Sequence, residues 1–331
     1  MGALSGRDVV SIADLTREEI VAVLDQARRF EAAVERGERL RLAESKIMAT
    51  LFYEPSTRTR LSFESAMLRL GGGVISVAEA KTSSSAAKGE TLFDTGKMIE
   101  SYCDVAVIRH PVLGSAQALA EGASVPVING GDGAGQHPTQ ALLDLYAIRK
   151  EKGRVEGLTI ALAGDLKNGR TVHSLSTLLA NFGTRFYFVA PHALAMPGEI
   201  TARLRERGVE IVETTDLAQA VTASDVLYMT RIQKERFADL AEYERLKGSF
   251  IVDSTLVQAA RPSLMIMHPL PRVDEIAKEV DVYPGAAYFR QAACGVPVRM
   301  ALLALVTGQE KLHRTRPQRT AQETRRIKRA R

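Results

Sequence analysis

Short apolar runs alternate along this chain with longer segments whose apolar residues recur every three or four positions. Ile47–Phe52, 73–77, 105–108 and 125–128 are short and apolar on both faces, which marks strands buried in a parallel sheet. Segments 59–70, 91–102, 115–121 and 138–150 carry helical spacing. Upstream, Thr16-Arg17-Glu18-Glu19 matches a capping box, and Ile20, Leu24, Ala27 and Phe30 then share one face of a helix ending near Gly37. Residues 151–157 form a polar, glycine-containing break. Beyond it the alternation resumes, with strands at 158–163, Arg185–Val189, 209–212, Val226–Met229 and 250–252, and helices at 169–182 and 196–207. No internal repeat is evident. This order predicts an α/β protein of two doubly wound parallel-sheet domains joined by a hinge, 1–150 and 151–289. In such folds ligands sit beyond the carboxyl ends of strands, often between domains.

Polar residues collect at those carboxyl ends. Tyr53-Glu54-Pro55-Ser56-Thr57-Arg58-Thr59-Arg60 joins a strand to a helix. Loop amides, a helix N-terminus, three hydroxyls and two guanidinium groups together suit a phosphate. The plainer alternative is an N-cap at Ser56 or Thr57 followed by a solvated basic turn. Arg109-His110-Pro111 follows the next strand, and His137-Pro138-Thr139-Gln140 opens a helix. His137 is there either as a cap or as a neutral imidazole that donates to a carbonyl. Gly164 through Val172 supplies Arg170, Met229-Thr230-Arg231-Ile232-Gln233 supplies Arg231, and His268-Pro269-Leu270-Pro271-Arg272 is a proline-stiffened loop. Taken singly, each arginine reads better as a surface ion pair. Residues 82–90 read as a plain linker or as a mobile lid ending in Lys88. A P-loop and the G-x-G-x-x-G dinucleotide fingerprint are both missing.

Composition narrows the class. The chain has 331 residues, enough for two ordinary domains, with 45% apolar and 25% charged residues. Its apolar runs fall short of the ~18 residues that cross a bilayer, and the N-terminus lacks a signal-peptide pattern. Two distant cysteines, Cys103 and Cys294, argue against a disulfide framework or zinc site and for a reducing, cytoplasmic setting. The net charge of +5 misleads, because residues 309–331 hold nine Lys or Arg against two acids, leaving the remainder slightly acidic. That tail is expected to be a disordered, solvated extension. Contact with nucleic acid or an acidic partner is the alternative; the tail has no aromatics, so base stacking is not suggested, and for the protein as a whole no nucleic-acid partner is expected.

Taken together these segments resemble the transcarbamoylases, on the aspartate side of that family. The carrying residues are Ser56 through Arg60, Lys88 through Thr91, Arg109 through Pro111, His137 through Asp144, Gly164 through Ser174, Thr230 through Arg236 and His268 through Ile276, covering about 7–308. The ornithine enzymes have Cys where this chain has Pro269, and Arg231, Gln233 and Lys88 suit a dicarboxylate acceptor rather than an ammonium. The resemblance implies that Ser56, Thr57, Arg58, Thr59 and Arg109 hold the phosphate of carbamoyl phosphate. Thr59, Arg109 and His137 would face the carbamoyl oxygen, Gln140 the carbamoyl nitrogen, and the carbonyls of Leu270 and Pro271 both that nitrogen and the attacking amine. Arg170, Arg231 and Gln233 would take aspartate, with Ser84 and Lys88 supplied by a neighbouring subunit of a homotrimer. It implies no metal and no cofactor. A helix at 290–308 would return to the first domain, and 234–247 would form a loop. A regulatory chain or a dihydroorotase partner stays open. The rival readings are a transcarbamoylase with another acceptor and a non-catalytic homologue serving as a structural partner.

Overall fold

The computed structural model describes residues 4–80, 88–234, 237 and 239–309. The basic tail from 310 onward and the loop residues 81–87, Ser84 among them, lie outside these. Two all-parallel sheets organise the chain. The first comprises β1 (Ile47–Phe52), β2 (Gly73–Ala78), β3 (Val105–His110) and β4 (Val127–Asp132) in the order β2-β1-β3-β4. The second comprises β5 (Thr159–Ala163), β6 (Arg185–Val189), β7 (Ile211–Thr214), β8 (Val226–Met229) and β9 (Met265–Met267) in the order β7-β6-β5-β8-β9. Central strands β1, β3, β5 and β8 are nearly continuous in apolar burial, as parallel strands covered by helices on both faces must be.

The expected α/β architecture is present, with corrections at particular segments. Residues 250–252 form no strand. Ile251 is 48% exposed, Val252 makes a single bridge to Ile276, and the place beside β8 belongs to β9. The edge strand β7 starts at Ile211 rather than 209, because its pairing with β6 and not an apolar run sets its limits. Strands β3 and β4 run further than expected, to His110 and Asp132, across a bulge. Residues 234–247, expected as a loop, contain the helix Leu240–Leu246.

Helix α1 (Arg17–Glu35) starts at the expected box: the Thr16 hydroxyl accepts from the Glu19 N–H and the Glu19 carboxylate accepts from the Thr16 N–H. Helices α2 (Thr57–Arg69), α3 (Leu92–Ile99), α4 (Ser115–Gly122), α5 (Pro138–Lys152) and α6 (Arg170–Leu179) follow their strands. Four further helices, α7 (Gly198–Glu206), α8 (Leu217–Ala223), α9 (Leu240–Leu246) and α10 (Ser254–Ala259), flank the second sheet. The chain then closes with α11 (Tyr288–Ala293) and α12 (Gly295–Val306). Helix α12 packs against α1, α2 and α5, so the end of the chain returns to the first sheet's layer. Contrary to the sequence expectation, Tyr288–Val306 is long and apolar enough to cross a membrane, but 72% of that stretch is buried inside the protein, as befits a core helix.

Helices α3 and α4 cross without side chains between them. A Cβ on Gly122 would lie 2.1 Å from the Phe93 carbonyl oxygen. Helix propensity alone favours Ala over Gly by roughly 1 kcal/mol. We expect Gly122→Ala to destabilise instead, by about 1–3 kcal/mol, because two backbones must separate. Urea unfolding reads the sign directly; a stabilised variant would show that the crossing is loose.

Candidate active site

The loops at the carboxyl ends of β1, β3, β4, β5, β8 and β9 enclose one cleft of about 910 Å³ between the two sheets. Each wall follows from a strand that stops. β1 ends at Phe52 and the chain turns through Tyr53, whose N–H donates to the Arg109 carbonyl, into the N-terminus of α2. The first turn of α2 thus brings unpaired N–H groups and a partial positive charge to the cleft, beside Ser56, Thr57, Arg58 and Thr59. Ser56 occupies the N-cap position yet makes no side-chain cap bond, so capping does not account for this hydroxyl.

Charge dominates the lining. Arg58, Arg109, Arg170, Arg231 and Arg299 all border the cleft, and among the described lining residues Glu54 is the only carboxylate. Glu54 sits between two of them. Its Oε2 lies 3.2 Å from Arg109 Nε and 3.5 Å from Arg170 Nη2. Burial, then the neighbouring Arg170 charge, lowers the Arg109 guanidinium to about 10, against the pull of Glu54. Arg170 Nη1 donates to the Gly133 carbonyl at 2.8 Å, and Arg58 Nη2 donates to the Leu270 carbonyl at 2.7 Å. Both bonds cross between the halves of the molecule. The backbone gives these groups room at Gly131, where φ is +120° and a Cβ would lie 3.2 Å from Arg170 Cζ.

His137 is buried at the head of α5 and makes no side-chain cap bond, so the capping reading fails. Its N–H donates to Ser174 Oγ on α6 at 3.0 Å, and no protein group partners its Nδ1 among the described residues. Burial first, then Arg170 and Arg109, holds the imidazole far below its ordinary range, so it is neutral at physiological pH. Gln140, one turn on, turns its amide NH2 to Asp144 Oδ1 at 2.9 Å. On the opposite wall, the His268 N–H donates to Gln291 Oε1 at 2.9 Å and its Nδ1 accepts from the Leu270 N–H at 2.7 Å. His268 Nε2 is 2.7 Å from Glu275 Oε1. Leu270 lies at φ 55°, an uncommon region for a side-chain-bearing residue, with its carbonyl on Arg58. Burial pushes the Cys103 thiol up to about 11 and the Cys294 thiol to about 12, which disqualifies both as nucleophiles.

Of the residues expected at a site, Ser56, Thr57, Arg58, Thr59, Arg109, His137, Gln140, Arg170, Arg231, Gln233, Leu270 and Pro271 all border this cleft. Lys88 does not: it is exposed and outside the lining contributed by its own chain. Ser84 lies outside the described residues. Sequence reasoning missed Glu54, Gln291 and Arg299, which also border the cleft. Glu54 carried a usable signal, a lone acid heading a cationic turn. Arg299 carried only the oddity of an arginine inside an apolar helix.

Two family profiles match the chain: the aspartate/ornithine carbamoyltransferase carbamoyl-P binding domain over residues 7–150 and the aspartate/ornithine carbamoyltransferase Asp/Orn binding domain over residues 156–306. The aspartate carbamoyltransferase catalytic subunit of Thermococcus onnurineus is 56% identical over 303 residues, 92% of this chain and 97% of that protein. The crystal structure of aspartate transcarbamoylase from Trypanosoma cruzi with carbamoyl aspartate and phosphate superposes with a TM-score of 0.88 at 43% identity, covering 92% of this chain and 98% of that one. The catalytic subunit of the M. jannaschii enzyme superposes at 0.84 with 50% identity, covering 90% and 97%.

The Glu54 arrangement generates a prediction. Glu54→Gln keeps the shape but leaves Arg109 and Arg170 facing each other without a counter-charge. We expect the unliganded variant to lose roughly 1–3 kcal/mol. Inorganic phosphate, supplying the missing negative charge, should restore more stability to the variant than it adds to the parent. Thermal melts with and without phosphate test this; an unliganded variant as stable as the parent would remove Glu54 as the counter-ion.

Proposed function

Because the chain belongs to the aspartate/ornithine carbamoyltransferase family, we propose that the arginine-lined cleft is its active site and assign its residues accordingly. The chain transfers the carbamoyl group of carbamoyl phosphate to the amine of aspartate, yielding carbamoyl aspartate and phosphate in pyrimidine synthesis. The observation that carries the assignment is the division of positive charge. One group, Arg58, Arg109 and the α2 N-terminus, belongs to the first sheet, and another, Arg170 and Arg231, to the second. Two anionic substrates of unlike shape fit that division.

In this assignment the phosphate rests on the first turn of α2, held by Ser56, Thr57, Arg58 and Thr59, with Arg109 across from it. Arg170 and Arg231 take the two carboxylates of aspartate, with Gln233 beside them. The carbamoyl oxygen faces Thr59, Arg109 and neutral His137. The carbamoyl nitrogen faces Gln140 and the Leu270 and Pro271 carbonyls. The neutral amine attacks the carbamoyl carbon, the N–C bond forms, and negative charge gathers on the oxygen. The C–O bond to phosphate then breaks, and the departing phosphate takes the amine proton. Donors fixed before the charge develops lower its energy without reorganising, and one such donor is typically worth about 10²–10³ in rate. Two substrates held in register supply the rest by proximity.

We assign the working unit as a trimer in which Lys88 and Ser84 complete a neighbour's cleft. Lys88 is exposed and away from its own cleft. Just beyond it, Phe93, Met98, Tyr102, Val112 and Leu113 are each about half exposed or more, an apolar stretch that suits burial by another subunit. A cytoplasmic location agrees with two buried free thiols.

The function is tested by carbamoylation of L-aspartate against L-ornithine with carbamoyl phosphate. Saturable carbamoyl-aspartate formation is expected; transfer to ornithine alone would overturn the acceptor assignment around Arg231 and Pro269. Arg58→Ala should lower turnover by about 10²-fold or more while the fold stays intact, as its circular dichroism would show. Mixed subunits test the shared site. Arg58→Ala and Lys88→Ala chains, each inactive alone, should recover up to about a quarter of parental activity when reassembled together, since that share of sites in random trimers is whole. Absence of recovery in demonstrably mixed trimers would place Lys88 outside the site.

A further inference from the structure

Behind the cleft lies a carboxylate that does not reach it. Asp144 sits on α5 one turn past Gln140, fully buried and outside the cleft lining. Its Oδ1 accepts from Gln140 Nε2 at 2.9 Å and from Gln291 Nε2 at 2.6 Å, and its Oδ2 accepts from the Tyr228 hydroxyl at 2.8 Å. The three donors come from α5, α11 and β8, so the group joins both sheets and the returning end of the chain. Gln291 passes the contact on, since its Oε1 accepts from the His268 N–H at the start of the 268–271 loop.

A primary amide has a donor end and an acceptor end of nearly equal shape, and its neighbours decide which way it points. A carboxylate only accepts. Beside Asp144, both glutamines must therefore turn NH2 inward. That leaves the carbonyl oxygen of Gln140 for the cleft it borders and the carbonyl oxygen of Gln291 for His268. Take the carboxylate away and the best remaining partner for the Gln291 NH2 is the Gln140 oxygen. Gln140 would then rotate and offer NH2 to the cleft.

We propose that Asp144 is a positioning residue that fixes the sense of the Gln140 and Gln291 amides, so that the cleft meets the carbamoyl nitrogen with acceptors and selects an acyl phosphate bearing NH2 over one bearing a methyl group. The proposal rests on the role given to Gln140 above and deepens it. A buried acceptor facing a methyl is left without a partner, and such mismatches discriminate strongly. The groups facing the Asp144 carboxyl are the Tyr228 hydroxyl, the two amides, and at longer range Arg299 and Cys294. Burial raises the carboxyl to about 7, yet protonation preserves the arrangement. Oδ1 keeps both amides, and a proton on Oδ2 is donated to the Tyr228 oxygen, whose own O–H turns from Asp144 to the neighbouring Thr171 hydroxyl. Asparagine reproduces that protonated pattern, with its NH2 donating to Tyr228.

The test uses the full-length protein, with carbamoyl phosphate as substrate and acetyl phosphate, its methyl counterpart, as competitive inhibitor. Asp144→Leu is combined with Tyr228→Phe so that no hydroxyl is stranded in the core. We expect kcat/KM for carbamoyl phosphate to fall roughly tenfold or more while the acetyl phosphate inhibition constant moves less than about threefold. Asp144→Asn should keep both values within about threefold. Should the double variant not fold, Asp144→Ala is read in the same way. Equal losses for the two ligands would reduce Asp144 to packing and overturn the proposal, as would an Asn variant as damaged as the Leu variant. A parent enzyme that does not distinguish the two acyl phosphates would overturn it at Gln140, with carbamoyl transfer itself intact. A parent that carbamoylates nothing would sink the functional assignment as well.

Discussion

Among the described residues, five guanidinium groups facing one cleft with a single lining carboxylate set the terms for the rest of the molecule. Burial lowers both Arg109 and Arg299 to about 10, and the like charge of Arg170 on Arg109, and of Arg109 on Arg299, adds to that cost. The fold must hold the groups in place against it. Glu54 neutralises part of the repulsion between Arg109 and Arg170, and backbone carbonyls at Gly133 and Leu270 take further guanidinium protons. The remaining imbalance is what an anionic substrate relieves. The same bonds connect the two sheets, because Arg58 and Arg170 reach across from opposite sides. In the proposed assignment, charge that attracts the substrates and charge that ties the halves together are thus one set of residues.

The apolar core serves that arrangement through α12. This helix is buried on nearly every side between α1, α2 and α5, yet it carries Arg299, whose Nη2 donates weakly to Thr139 Oγ1 at 3.4 Å and whose guanidinium lies 4.9 Å from the Phe63 ring. A buried arginine resting on an aromatic face is held by packing more than by ion pairing. Returning the end of the chain to the first layer places Arg299 at the floor of the cleft and Gln291 beside the 268–271 loop. The last two helices, α11 with Gln291 and α12 with Arg299, therefore bring groups to the site that neither sheet's own loops could supply.

The architecture was largely legible in the sequence because buried parallel strands leave a strong mark: β1, β3, β5 and β8 are short apolar runs, buried along most of their length. Legibility failed where tertiary pairing overrides local pattern. Phe250-Ile251-Val252 is apolar, but Asp253 caps the next helix and Met265–Met267 already pairs with β8. The edge strand β7 has no buried residue, with Val212 and Glu213 both exposed, and so lacks a buried apolar run. At the site, the cationic turn, His137, Gln140, Arg170 and Arg231 stood out because polar residues at strand ends are conspicuous. Glu54 was read as part of a turn, since a carboxylate shows its role only once two guanidinium groups are seen beside it. Asp144 was still less visible: nothing in Leu142-Leu143-Asp144 announces three donors from three elements.

The electrostatics also constrain how the chemistry can proceed. His137 is buried, faces several arginines and is held neutral, so it is a poor proton acceptor but an available hydrogen-bond donor. His268 is likewise held below its ordinary range by burial, despite Glu275. Arg109 and Arg299, even lowered to about 10, stay charged near neutrality, and the Glu54 carboxylate is shared between Arg109 and Arg170. Among the described lining residues no side chain is poised to take a proton near neutrality, whereas several are poised to stabilise negative charge. A reaction that generates an oxyanion and expels a phosphate able to carry the proton away asks for that inventory. The site works by fixing dipoles and charges before the reaction begins, and burial is what fixes them.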